Sequence, residues 1–136
     1  MSYPEKLLQA EISQYKLHVC TSCREKGTPR EPRESRLGFI LYQELNAKLT
    51  QKTFKDYVEI KPARCLSLCP RPCGIAFSSS RAWTYLFGDQ KPDQTTQAVM
   101  DCLEFYMSTP DGYMPRERRP KALQRSILGR VPPLEY

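Results

Sequence analysis

Five of the six cysteines in this chain of 136 residues fall in two tight groups. Cys20 and Cys23 form a C-x2-C pair. Cys65, Cys69 and Cys73 follow in the second group at a repeated four-residue spacing. Thiolates are soft ligands, and four of them suit a tetrahedral zinc ion or an iron–sulfur cluster. The spacing makes Cys20, Cys23, Cys65 and Cys69 the metal-ligating candidates. Cys73, which opens the next strand behind Pro72, is the alternative or extra ligand. Read alone, Cys20 and Cys23 form a thiol–disulfide redox pair. Such a pair normally sits at the start of a helix, whose N-terminus stabilises the thiolate. Here the charged, proline-bearing residues 24–36 intervene. Cys102 falls on the apolar face of a helical pattern and reads as core. The single histidine, His18, lies on the polar side of a strand pattern and reads as a surface residue. One histidine and no phosphate-binding glycine loop leave no conventional catalytic constellation. A carrier or metal-binding protein is expected rather than a catalyst.

The elements that must position these cysteines follow from periodicity. Residues 4–14 have Leu7, Leu8 and Ile12 at helical spacing and suggest a short N-terminal helix. Residues 15–20 alternate Tyr15, Leu17 and Val19 with Lys16, His18 and Cys20, the pattern of a strand. Residues 21–35 read as a loop. Ser35 is the expected cap of a helix over about 36–50, whose stripe is Leu37, Leu41, Leu45 and Leu49, widened by Phe39 and Ile40. Residues 55–61 read as a strand ended by Pro62. A hairpin of 74–78 and 82–87 follows, with Trp83, Tyr85 and Phe87 on one face. A helix is expected over about 94–107, capped near Asp93 or Thr95. Its apolar face carries Ala98, Val99, Cys102, Leu103 and Tyr106. From Thr109 prolines predict an extended tail, with one helical turn around 121–128.

The order β-α-β then β-β-α predicts an α/β, thioredoxin-like fold: a mixed four-stranded sheet with helices on its faces and an extended C-terminal tail. The expected organisation is an extension over 1–14, the domain over 15–108 and a basic, proline-rich tail over 109–136. Both cysteine groups fall just after strands. Two adjacent parallel strands end at the same edge of a sheet, so their following loops can bring the thiols together.

The chain has a net charge of +6 and a hydrophobic content of 40%. It is long enough to bury roughly two thirds of its unfolded surface, so disulfide staples are not needed. No apolar run approaches the ~20 residues of a membrane span. The first residues carry acids and no apolar signal core, so a cytoplasmic protein without a membrane partner is expected. Residues 115–130 concentrate Arg116, Arg118, Arg119, Lys121, Arg125 and Arg130 against the single acid Glu117. This segment is the candidate docking face for an acidic partner. No nucleic-acid module accompanies it.

At these residues the chain resembles the thioredoxin-like 2Fe–2S ferredoxins and the related cluster subunit of respiratory complex I. In those proteins two cysteines after the first strand and a C-x3-C after the second hold the cluster, which falls on Cys20, Cys23, Cys65 and Cys69 here. The ferredoxins separate their first two cysteines by a longer gap, and the shorter gap here opens a place for Cys73. A finer pattern is similar to a family of small bacterial proteins of unassigned function, often labelled metal-binding. It comprises Val19-Cys20-Thr21-Ser22-Cys23, Cys65-Leu66-Ser67-Leu68-Cys69-Pro70-Arg71-Pro72-Cys73, Trp83-Thr84-Tyr85 with Phe87-Gly88-Asp89, Asp111-Gly112 and Arg119-Pro120.

The resemblance implies a 2Fe–2S electron-transfer protein serving an acidic redox partner. The alternatives are zinc or another metal on the same cysteines, or a thiol–disulfide oxidoreductase using Cys20 and Cys23. The sequence leaves a homodimer open.

Overall fold

The computed structural model describes residues 15–24, 26–68 and 71–134. The expected helix over 4–14 and the candidate ligand Cys69 lie outside them. The chain runs β1 (Tyr15–Cys20), α1 (Leu37–Leu49), β2 (Val58–Ala63), β3 (Ile75–Ser79), β4 (Thr84–Phe87), α2 (Thr96–Ser108) and β5 (Ile127–Val131). The strands form one sheet in the order β2-β1-β3-β4-β5. β1 and β2 are parallel, in register from Tyr15 opposite Val58 to Cys20 opposite Ala63. The other three pairings are antiparallel. The fold is thus the expected mixed α/β, thioredoxin-like one, with five strands rather than four. The fifth strand comes from the C-terminal segment, which had read as an extended tail.

Strand alternation sorts the side chains. Leu17, Phe77 and Tyr85 stand in register across β1, β3 and β4 and are fully buried, as are Val19, Ile75 and Phe87. The two helices pack against each other, and α1 packs on β1 and β2. From α1 come Leu41, Leu45 and Leu49, the expected stripe. From α2 come Val99, Met100, Cys102, Leu103 and Tyr106. The Tyr106 ring lies 5.4 Å from Phe77 and meets Tyr85 edge-on at 6.2 Å. Each such large side chain contributes about 1.5–3 kcal/mol on burial. Intervening strand residues such as Lys16, His18 and Glu59 take the other face, where Lys16 pairs with Glu59. His18 is half-buried, and its Nε2 lies 2.8 Å from Ser78 Oγ. Burial, with Lys61 and Lys16 nearby, lowers its pKa.

Three local expectations change. Arg36, not Ser35, precedes the first turn of α1; Ser35 lies in a 3-10 turn and donates its hydroxyl to the Pro32 carbonyl. Residues 55–57 form a 3-10 turn and β2 begins at Val58, continuing through Pro62. That proline is tolerated because β2 is an edge strand, where a missing N–H breaks no ladder on the open side. The expected helical turn around 121–128 shrinks to a 3-10 turn over Lys121–Leu123, ahead of β5. Among the described residues, no helix is long and apolar enough to cross a membrane.

Candidate metal centre

One end of the sheet gathers the cysteines. β1 ends at Cys20 between its two neighbours: Cys20 N–H donates to the Gly74 carbonyl at 3.0 Å, and Thr21 N–H donates to the Ala63 carbonyl at 2.9 Å. The parallel pairing puts the ends of β1 and β2 at the same edge, as expected from the sequence. Cys23 closes the turn, and its carbonyl accepts the N–H of Gly38 at 2.9 Å. The first turn of α1 therefore abuts the Cys20–Cys23 turn, although residues 24–36 intervene in sequence. That loop leaves and returns, so the sequence distance to the helix is no measure of the spatial one. Contact is close enough that a Cβ on Gly38 would lie 2.1 Å from the Cys20 carbonyl oxygen.

The thiols form a chain of contacts. Cys20 meets Cys23, and Cys23 meets Cys73. All three are at most 3% exposed. Cys73 is fixed by a two-way main-chain pair with Gln90: Cys73 N–H to Gln90 carbonyl at 3.2 Å, and Gln90 N–H to Cys73 carbonyl at 3.1 Å. Cys65, by contrast, is exposed and lies just beyond β2. Its loop still reaches the others, because the Leu66 main chain lies beside the Cys20 sulfur.

Ser67 N–H donates to Cys65 Sγ at 3.3 Å, and the main chains of Leu66 and Ser22 lie beside the Cys20 sulfur and that of Gly74 beside Cys23. A backbone hydrogen bond to sulfur favours its anionic form. At Cys20 and Cys23 this effect is outweighed. The Cys23 thiol and burial push the Cys20 pKa far up. At Cys23 the Cys20 thiol lowers the pKa, but the Cys73 thiol and burial raise it to about 11. Buried, neutral thiols are poor nucleophiles. A bound metal ion or cluster would supply the positive charge that favours the thiolate form of such sulfurs.

Among the described residues, no group of three or more His, Cys, Asp or Glu side chains is arranged to hold a metal ion. Cys69, the fourth ligand implied by the resemblance, lies outside the described residues. The residues flanking it are anchored: Leu68 packs on Gly74, and its carbonyl accepts Arg71 N–H at 2.9 Å. Arg71 pairs in turn with Asp89. Cys102 stays in the core, its Sγ 3.6 Å from Met114 Sδ, and burial pushes its pKa to about 12.

A family model described as a protein of unknown function, DUF1636, matches residues 17–133. The chain belongs to this family. The matched span takes in all six cysteines and the fifth strand. No curated protein matches the chain. Among solved structures, a thioredoxin-like [2Fe-2S] ferredoxin from Aquifex aeolicus superposes with a TM-score of 0.56 at 15% identity, covering 91% of this chain and 99% of the ferredoxin. A cysteine-to-serine variant of that ferredoxin gives 0.55 at 16% identity, covering 85% and 98%. At this identity the likeness establishes the shared fold.

Of the basic candidates of residues 115–130, one does not reach the surface. Arg119 is buried, donates to the Met114 carbonyl at 3.2 Å and lies over the Tyr85 ring. The Arg118 guanidinium covers Phe105, and that of Arg130 is 4.8 Å from the Trp83 ring and 4.9 Å from Tyr113. Arg116, Arg118, Lys121, Arg125 and Arg130 are all exposed. The sequence reading missed Gly38, Gln90 and the Ser67 amide directed at sulfur. Gly38 and Gly74 were the visible signals, since a glycine permits close backbone approach.

Proposed function

We propose that this protein holds a [2Fe-2S] cluster on cysteine thiolates at this end of its sheet and acts as a one-electron carrier. The observation that carries the reading is the gathering of Cys20, Cys23 and Cys73 at one end of the sheet, with the Cys65 loop beside Cys20 and the Ser67 N–H donating to Cys65 Sγ. The fold shared with the Aquifex aeolicus ferredoxin supports it. When bound, such a cluster supplies a one-electron couple whose potential depends on hydrogen bonds to sulfur and on solvent exposure. The ligands are Cys20, Cys23, Cys65 and Cys69, with Cys73 in reserve through its contact with Cys23. Ser67 would hold the Cys65 sulfur in place through its N–H group. The exposed Cys65 side is the route by which an electron reaches the surface. The protein acts in the cytoplasm, and its partner is another redox protein.

The test is an absorption spectrum of anaerobically purified protein, with iron, acid-labile sulfide and zinc measured on the same sample. The expected result is visible bands between roughly 320 and 600 nm and about two irons per chain. A colourless protein with about one zinc per chain would overturn electron transfer and leave a zinc site on the same cysteines. Cys65→Ser is expected to remove the bands, and unchanged iron in that variant would refute the ligand assignment.

A further inference from the structure

We infer that the electron partner docks on the cysteine end of the sheet, presenting an acidic protein surface to Arg33, Arg64 and Arg125. The inference rests on the electron-carrier reading and adds the partner's place and charge.

Four segments meet at this end. The Cys20–Cys23 turn touches the start of α1 through Gly38. The Cys65 loop reaches Cys20 through Leu66. Gln90 holds Cys73, and Gly88 and Gln90 both bond Ser126: Gly88 N–H donates to the Ser126 carbonyl at 2.8 Å, and Gln90 Nε2 to its hydroxyl at 3.1 Å. Each arginine is exposed and stands beside a cysteine-bearing segment. Arg33 donates to Ser22 Oγ at 3.2 Å, over the Cys20–Cys23 turn. Arg64 directly precedes Cys65. Arg125 offers its carbonyl to Arg71 Nη2 at 3.3 Å, two residues before Cys73.

The charge balance favours this end. The segments 21–36, 64–74, 88–91 and 124–126 hold nine Lys and Arg against four Asp and Glu. One of those acids, Asp89, is already paired with Arg71. Among the described residues the ion pairs are Lys16–Glu59 and Arg71–Asp89, and the three arginines are in neither. Of the basic residues of 115–130, Arg125 belongs to this end, Arg119 is buried, and the exposed Arg118 and Arg130 lie over aromatic rings. Electron exchange requires close approach to the metal-bound sulfurs, and like-signed charge around that point steers an oppositely charged partner to it.

The probe is fluorescein-labelled polyglutamate, titrated by anisotropy against the full-length protein as purified, with iron content read on the same sample. Arg33→Glu, Arg64→Glu and Arg125→Glu combined are expected to weaken binding about tenfold or more, with an unchanged circular-dichroism spectrum. The control pair Arg116→Glu and Arg118→Glu is expected to change it less than about twofold. Equal losses in the two variants would overturn the placement. Tighter binding of a DNA duplex of matched charge would overturn the choice of a protein partner. The iron content decides the carrier reading separately: a sample without iron that shows the expected arginine dependence keeps the acidic docking face and loses the electron carrier.

Discussion

Gly38 sits where a side chain would strike backbone on both sides. Its added Cβ would come within 2.1 Å of the Cys20 carbonyl oxygen and 3.1 Å of the Cys23 nitrogen, and backbone cannot swing aside as a side-chain tip can. Gly38→Ala must push the start of α1 off the cysteine turn. The expected loss is at least about 1–3 kcal/mol, the range for overpacking, read from the urea midpoint, with reduced cofactor content. An unchanged midpoint would contradict the close approach. Cys102 provides the opposite case. It is buried beside Met114, away from the other thiols, so Cys102→Ala is expected to cost about 1 kcal/mol and leave metal content intact. At this scale the cysteines were legible, because a thiol is written in the sequence. The amide of Ser67 was not, because every residue but proline carries an N–H and only the fold decides which faces a sulfur.

The strands and helices show a similar division. β1, α1, β4 and α2 follow strong apolar periods, and each forms within a residue or two of its expected place. β2 was misjudged at Pro62, which normally argues against a strand but is admissible on the edge position that β2 occupies. β5 was missed because its five residues include Gly129 and are only half-buried or exposed, so no alternation marks them. Its place depends on distant partners. The end of β4 is joined to it through Gln90, whose buried amide donates to the Gly88 carbonyl at 2.7 Å and to Ser126. The same residue pairs with Cys73 through its main chain. Gln90→Ala removes both amide donors from a buried place. The expected destabilisation is about 1–3 kcal/mol, with faster amide exchange at Cys73 and Gly88 as the local readout. If exchange stayed slow there while global stability fell, Gln90 would not be what links the Cys73 turn to β5.

At the level of the whole molecule, residues 109–131 close the fold rather than trail from it. Trp83 N–H donates to the Asp111 carbonyl at 2.8 Å, and Met114 N–H to the Tyr85 hydroxyl at 2.8 Å. Met114 and Leu123 are essentially fully buried, and Arg119 lies over the Tyr85 ring. β5 covers the free edge of β4 from Thr84 to Phe87. A chain ending at Ser108 would expose that edge, uncover the Tyr85 ring and strip its buried hydroxyl of a partner. Loss of the two apolar side chains alone costs about 1.5–3 kcal/mol each, and an exposed edge strand invites intermolecular pairing. Against a total stability of about 5–15 kcal/mol, this is enough to lose the fixed tertiary structure. The shortened chain is therefore expected to bind a hydrophobic dye, to lose its near-ultraviolet circular dichroism and to aggregate. A cooperative transition at the full-length midpoint would instead make residues 109–136 a dispensable appendage. The same experiment bears on the cysteines, because Ser126 and Arg125 bond the segments that hold Cys73. Loss of the C-terminal segment should thus loosen the candidate metal centre even though it removes none of its thiols.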